Sequence, residues 1–377
     1  MVSVRLASIQ ESTTLKISAM AKKMNASGLD VIDMGVGEPD FDTPRYIVEA
    51  GCSSIRAGET HYAPTAGIPE LRKAIAEKLC NENMLKVTAD DVVVTPGAKM
   101  GVFTSIQALI QEGDECLMIG PSWVSYEPSV AFAGGKVNWG SVDRDFMPLN
   151  LSESITPRTK LIIVNSPSNP TGAVFDRKVL EEIRDLACDH NFYVISDEIY
   201  EKIIYDHKHI SIGSLDGMGD RTITINGFSK AYAMTGWRLG YMTGPKEIMT
   251  WATRLLSHSV SQAATFVMRA GLAAIQGPQD EVLAMVKEFR ARRDLLVAGL
   301  RELGIPCSIP GGAFYVFPDV SELGGGDAFT DKLLKDALIA ATPGSAFGPG
   351  GANYVRLSYA TSQERLKTAL ERIKKVL

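Results

Sequence analysis

The stretch "ITINGFSKAYAMTGWRLGYMTG", residues 223–244, decides how the rest of the chain is read. It opens on a β-branched run, Ile223 to Ile225, of the kind that forms a buried strand. Gly227, Ser229 and the lone Lys230 follow. Arg238 stands eight positions after Lys230, and a second strand-like run closes the stretch. Two pieces of core thus bracket a lysine and an arginine. A lysine held in an interior cleft loses hydration. Its pKa falls toward that of a neutral, nucleophilic amine, which forms Schiff bases with aldehydes. An arginine offers a planar fork to a phosphate. Two solvated loop cations would fit the same residues taken alone, although the flanking strands make that reading less economical.

Working outward, short apolar runs alternate with helical patterns. "DVVVTPG" precedes the helix-like "AKMGVFTSIQALIQEG", and "ECLMIG", "KLIIVNSPSNP" and "FYVISDEIY" read as strands. Between the last two, "DRKVLEEIRDLACDHN" places Val179, Ile183, Leu186 and Ala187 on one helical face. Strands alternating with helices predict a largely parallel α/β sheet covered on both faces, with ligands at the carboxyl ends of its strands. From about Gly277 the pattern changes. A long charged helix precedes "CSIPGGAFYVFPDV", a further helix, "YVRLSYA" and a closing helix. There Thr361 and Glu364 fit a capping box, and Leu366, Leu370 and Ile373 form the apolar stripe. This part reads as a smaller α+β domain.

Composition bounds the possibilities. The 377 residues are 45% hydrophobic and 22% charged, with a formal net charge of -5. Mild acidity argues against general nucleic-acid binding, which needs a basic face. The five cysteines are scattered and none forms a CxxC pair, so neither a zinc site nor a disulfide framework is expected, and no metal is. "MVSVRLASIQESTT" lacks a cleavable apolar segment, and no run approaches the roughly 20 apolar residues that span a bilayer, so a cytoplasmic enzyme without membrane contact is expected.

Several groups at predicted strand ends carry chemistry. In "VVVTPGAKMGVF" a strand ends, Gly97 turns the chain, and a helix starts. Its free backbone N–H groups suit a phosphate, although a turn serving geometry alone would look the same. In "NSPSNPTG", Asn169 emerges at a strand's carboxyl end, where it could bond a ring oxygen or merely start a turn. In "SDEIYE", Asp197 sits where a buried strand ends. It is either a helix N-cap or a carboxylate awaiting a cation. Tyr200 lies three residues later. Together these specify one ligand: an aldehyde for Lys230, a phosphate for Arg238 and the Gly97 turn, a ring nitrogen for Asp197, and a phenolic oxygen for Asn169 and Tyr200. That ligand is pyridoxal phosphate.

With "GVGEPDFDTP", "HYAPTAGIPELR", "PGAK", "PSWVSY", "NSPSNPTG", "SDEIYE", "GFSKAYAMTGWRLGY", "PGGAFYVF" and "YVRLSYA" in this order over nearly the whole chain, the sequence resembles the class I aminotransferases among the fold type I pyridoxal-phosphate enzymes, near the bacterial and archaeal aspartate aminotransferase subgroup. The resemblance implies a large domain, 41–277, on a mostly parallel seven-stranded sheet, a small domain, 278–377, and a segment, 1–40, packing on the small one. It implies that Lys230 joins the cofactor covalently and later shuttles the proton, that Asp197 holds the ring N–H, and that Tyr200 and Asn169 bond the ring oxygen. Trp123 would stack on the ring. Ala98 and Lys99 would give backbone N–H groups to the phosphate, with Arg238 and Ser229 completing the cup. Tyr62 would reach the phosphate of a neighbouring subunit, making the active unit a homodimer. Arg356 would clamp the substrate carboxylate, with Gly37 allowing close approach. Many relatives carry a hydroxyl three positions before the lysine; Gly227 stands there, so the contact is assigned to Ser229. Core packing for Trp123, an interface role for Tyr62 and exposure for Arg356 are the plainer readings of each residue alone.

The implied reaction moves an amino group from an amino acid to a 2-oxo acid, 2-oxoglutarate being the expected acceptor. Lys99, or Arg254 across a dimer, could pair with a distal carboxylate, which gives aspartate or glutamate as the expected donor. Alanine or aromatic specificity and a C–S β-lyase on the same scaffold are the alternatives. A transcription regulator would need a DNA-binding module, for which the early "GEPDF" leaves no room.

Overall fold

The computed structural model describes Glu11 and residues 13–377. Residues 1–10 and 12, part of the segment expected to pack on the small domain, lie outside the described residues. The strands are β1 (Ile32–Asp33), β2 (Val92–Thr95), β3 (Glu115–Ile119), β4 (Lys136–Val142), β5 (Pro148–Leu149), β6 (Thr159–Asn165), β7 (Tyr193–Asp197), β8 (Thr222–Gly227), β9 (Gly240–Thr243), β10 (Tyr315–Val316), β11 (Ile339–Ala340), β12 (Thr342–Pro343) and β13 (Val355–Ser358).

The main sheet runs β2-β9-β8-β7-β6-β3-β4-β5. Neighbours from β8 to β4 pair in parallel, and β9 is antiparallel to both β8 and β2. Seven strands of four or more residues match the expected sheet. The two-residue β5 adds an antiparallel edge on β4. Its Pro148 suits only an edge, and so short a run carries no readable alternation.

The apolar runs are buried on both faces because side chains alternate along a strand. In β6, Leu161 and Ile163 face one helical layer, with Val102 and Ile106 of helix Ala98–Leu109 and Met249 of helix Lys246–Ser259. Ile162 and Val164 face the other layer, with Leu180 and Ile183 of helix Arg177–Asp189. Leu180 is thus buried on that helix, whereas Val179 and Leu186 of the expected face are only partly covered. Asp176 caps the helix, accepting from the Val179 amide at 2.9 Å.

A second core gathers around helix Asp280–Glu302 and the antiparallel sheet β10-β13-β12. Ile32 and Met34 join this core, and β1 pairs in parallel with β11. The closing helix, Gln363–Val376, buries Leu366 and Ile373 as expected. Its cap is Ser362 rather than Thr361: the Ser362 hydroxyl accepts from the Arg365 amide at 3.3 Å. The expected box was one residue early because either hydroxyl residue precedes the helix.

Candidate active site

β6, β7 and β8 end side by side at Asn165, Asp197 and Gly227. Beyond these ends lies a cavity of about 330 Å³, closed on its other side by residues of the second core. Gly37, Ala98, Lys99, Trp123, Asn169, Asp197, Tyr200, Ser229, Lys230, Arg238 and Arg356 all line it. The strand ends are tied together. Asn165 Nδ2 donates to the Asp197 carbonyl at 2.9 Å, and its Oδ1 accepts from the Asn169 amide at 2.8 Å.

Asp197 is 4% exposed. Burial pushes its carboxyl up to about 6, opposed by the Tyr126 hydroxyl, which donates to Oδ2 at 2.7 Å, and by the Ile199 amide. Lys230 Nζ donates to the Gly37 carbonyl and lies 5.9 Å from the Tyr200 ring and 5.8 Å from the Phe314 ring. Burial lowers its pKa to about 8, with Arg356 and Arg238 adding to that shift and Glu38 opposing it. An amine so placed is available as a nucleophile near neutrality.

The phosphate end is set by close backbone contacts. Gly97 has φ +84° and precedes the first turn of helix Ala98–Leu109. A Cβ there would meet Arg238 Nη2 at 2.6 Å, so only glycine lets the guanidinium sit against this turn. Arg238 donates to the Thr235 carbonyl at 2.7 Å and makes no ion pair with a carboxylate among the described residues. The guanidinium and the first turn of that helix therefore face one point, an arrangement that suits a phosphate. Lys99 projects its ammonium over Trp123, 5.0 Å from the ring centre.

Arg356 is 2% exposed. Its position in the middle strand of β10-β13-β12 buries it, so the plainer expectation of an exposed strand arginine does not hold. Nη1 donates to Asn169 Oδ1 at 2.9 Å, and Nη2 donates to the Gly35 carbonyl. Nε has no partner. The partners are neutral, and a buried guanidinium with a free donor calls for an anion.

Tyr62 does not line this chain's cavity. It is 90% exposed, held outward between His61, whose carbonyl accepts from Thr265 Oγ1 at 2.8 Å, and Ala63, whose amide donates to Gln262 Oε1 at 2.6 Å. Arg254 is also outside, with its guanidinium 4.4 Å from the Trp251 ring.

Tyr126, Tyr315, Glu38 and Thr235 are among the cavity residues that were not singled out from the sequence. Tyr315 and Tyr200 share a hydroxyl hydrogen bond of 2.8 Å, and the Arg356 guanidinium lies 4.6 Å from the Tyr315 ring. Thr235 Oγ1 donates to Glu38. Tyr126 and Tyr315 both stand inside quoted motifs; Tyr315, a tyrosine in the apolar run "AFYVF", could have been found on that signal, since a buried hydroxyl needs a partner, whereas "PSWVSY" gives no such signal for Tyr126.

An amine of lowered pKa, a buried carboxylate facing it, a phosphate cradle and a buried guanidinium short of an anion fit pyridoxal phosphate and an amino-acid carboxylate. Fold and cavity define an enzyme of the pyridoxal-phosphate-dependent aminotransferase class. The chain belongs to the family described as aminotransferase class I and II, which matches residues 29–373. It is 45% identical over 370 residues to a probable aspartate aminotransferase of Methanocaldococcus jannaschii, covering 96% of this chain and 97% of that one. It is 43% identical to the aspartate/prephenate aminotransferase of Thermus thermophilus, covering 99% and 98%. The solved Thermus thermophilus aspartate aminotransferase with maleate superposes with a TM-score of 0.97 at 42% identity, over all of both chains. No helix among the described residues is long and apolar enough to cross a membrane.

Proposed function

We propose that this aminotransferase uses aspartate or glutamate as amino donor and 2-oxoglutarate as acceptor. The observation that carries the donor reading is a pair of cations, Arg356 and Lys99, in one cavity besides the phosphate-side Arg238. Arg356 takes the α-carboxylate, and Lys99 takes the distal one. The names of the relatives support the same substrate class.

The residues divide the work as follows. Lys230 would hold the cofactor covalently, and its amine, when free, would serve as the general base that takes the substrate's α-proton and returns it. Asp197 stays ionised to keep a proton on the ring nitrogen, and Tyr126 and the Ile199 amide hold it so. Asn169 and Tyr200 would bond the ring oxygen, and Trp123 would cover the ring face. Ala98, Lys99, Ser229 and Arg238 hold the phosphate. The bound cofactor supplies a carbonyl that takes the amino group and a ring that accepts the electron pair.

Tyr62, exposed on its own chain, reaches the cavity of a second copy in a homodimer, in the cytoplasm. The chain divides into a large domain, 41–277, and a small one, 278–377, with 1–40 on the small one. Contacts of Ile32 and Met34 with the second core support that division.

The test is an absorbance titration of the holoenzyme with single amino acids. Aspartate and glutamate are expected to convert the chromophore at lower concentration than alanine or phenylalanine. An equal response to all four overturns the donor assignment.

A further inference from the structure

The end of β7 and the loop that follows it send side chains to two sides. Asp197 and Tyr200 enter the cavity, whereas Glu198 and Glu201 turn away into a second buried cluster. Glu198 is 1% exposed, yet both its oxygens are fully occupied. Ser196 and Ser211 donate to Oε1 at 2.8 and 2.6 Å. Asn83 Nδ2 donates to Oε2 at 3.0 Å, and His209 Nε2 lies 2.9 Å from the same oxygen. The Glu198 amide donates to the Ile225 carbonyl at 2.8 Å, which fixes it to β8.

Glu198, Glu201 and His209 bring ligand atoms within 4.8 Å of one another, as a metal site would. The place of a cation is already taken. The Lys78 ammonium pairs with Glu201 and donates to Asn83 Oδ1 at 2.7 Å, and Asn83 Nδ2 bridges the two carboxylates. The cluster is a closed polar network. Lys78 answers Glu201, which leaves Glu198 to be answered by His209. Burial opposes a charged imidazole there, but Glu198 and Glu201 outweigh burial and Lys78, so the His209 pKa lies above the usual imidazole value. Glu82, paired with Lys78 and Lys202, and the Tyr241 hydroxyl complete the charged and titratable surroundings.

The Glu198 charge also reaches the cavity, since it raises the pKa of the adjacent Asp197 carboxyl. We propose that Glu198 and His209 form a positioning pair behind Asp197, in which the carboxylate adds negative potential at the ring-nitrogen site and the imidazolium trims it. This rests on the reading of Asp197 as the ring-nitrogen partner. Neither residue touches cofactor or substrate; the pair acts on the charge that Asp197 presents and on the loop that carries it.

The test is a visible-absorbance pH titration of the holoenzyme, reading the apparent pKa of the Lys230–cofactor chromophore without substrate. Glu198→Gln removes negative charge and is expected to lower that pKa. His209→Gln removes positive charge and is expected to raise it. Each shift should be about half a pH unit or more, the scale of a unit charge acting across a medium of intermediate dielectric. The double variant should fall between the singles. A merely structural role would move both singles the same way, or lower their melting temperatures and leave the titration in place. Either result overturns the proposal. Should Glu198→Gln fail to fold, His209→Gln against the charge-keeping His209→Lys carries the test: only the first is expected to shift, and equal shifts overturn it. Asp197→Asn separates the two possible failures. No shift there removes the ring-nitrogen reading itself. A shift there with none in the pair variants removes the pair alone.

Discussion

The Tyr126 hydroxyl donates directly to Asp197 Oδ2 at 2.7 Å inside the protein. Tyr126 is fully buried and meets Trp123 edge to face at 5.2 Å, so its ring is wedged and its hydroxyl has one direction to point. This bond works against the burial that pushes the Asp197 carboxyl up to about 6. Tyr126→Phe removes the donor and keeps the packing, so the carboxyl should titrate higher still. With Asp197 as the proposed ring-nitrogen partner, cofactor uptake by the apo protein would need the ionised carboxylate, so it should weaken as pH falls through about 6 in the wild type, and at higher pH in the variant. At pH 6.5 the variant should bind about tenfold more weakly, the scale of one charge-assisted hydrogen bond, and the gap should narrow above pH 8. Reconstitution followed by absorbance measures both curves, and coincident curves would contradict the assignment.

Lys230 imposes a cost on the apo protein. Burial lowers its folded pKa to about 8 from an ordinary 10.5, so between those values the unfolded chain binds more protons than the folded one. Stability contributed by this group therefore rises with pH across that window, and below pH 8 the full burden is present. Apo Lys230→Met should consequently melt higher than apo wild type at pH 7. Its advantage should shrink from pH 8 to 10.5 and then level off. Thermal unfolding across this range checks it, and a constant difference would show that the ammonium is not the cause.

The main sheet was legible because both its faces are covered, which writes β6 and β7 as apolar runs and β8 as a β-branched one, ending in Asn165, Asp197 and Gly227. The cavity residues were legible for a related reason: Asp197 and Lys230 are polar groups next to core strands, where polarity needs an explanation. Pro148–Leu149 left no trace, since a two-residue edge strand has no period. The burial of Arg356 could not be read from "YVRLSYA", because it depends on β10 and β12 closing over both sides of β13. Tyr126 and Tyr315 escaped because their hydroxyls gain partners only through contacts 71 and 115 residues away. The Glu198 cluster was hidden likewise: "SDEIYE" shows three acids, but not that Lys78, Asn83 and His209 come to meet two of them.

Gly37 is expected to tolerate no side chain. A Cβ there would stand 2.6 Å from the Tyr315 hydroxyl, which is bonded to Tyr200 at 2.8 Å. Gly37→Ala should displace Tyr315 and, through it, Tyr200 and the face of Arg356. The cost in kcat/KM should be about tenfold for every donor, the scale of one to two kcal/mol for an overpacked site. Tyr315→Phe in the same chain removes the clashing oxygen, so the double variant should lose less than the product of the two single losses. Steady-state kinetics on the four proteins reads this directly, and strictly multiplicative losses would mean that the two residues do not meet.

Lys99 tests the donor assignment most sharply. Burial first, and the Arg238 charge second, lower its pKa, yet the ammonium stands over Trp123 with no carboxylate beside it among the described residues. A distal substrate carboxylate would remove that imbalance, whereas a methyl side chain would not. Lys99→Ala should therefore cost roughly 10- to 100-fold in kcat/KM with aspartate, the range of a charge-assisted pair. With alanine the loss should stay within about threefold, because the backbone N–H of residue 99 remains to serve the phosphate. Equal losses on the two donors would place Lys99 with the cofactor alone and leave side-chain recognition to another cation. Arg254 would then be the next to test, in mixed dimers that combine Arg254→Ala and Lys230→Ala subunits. If it serves its neighbour's cavity, the Lys230→Ala subunit will supply the only intact Arg254, and it will supply it to the one subunit that can turn over.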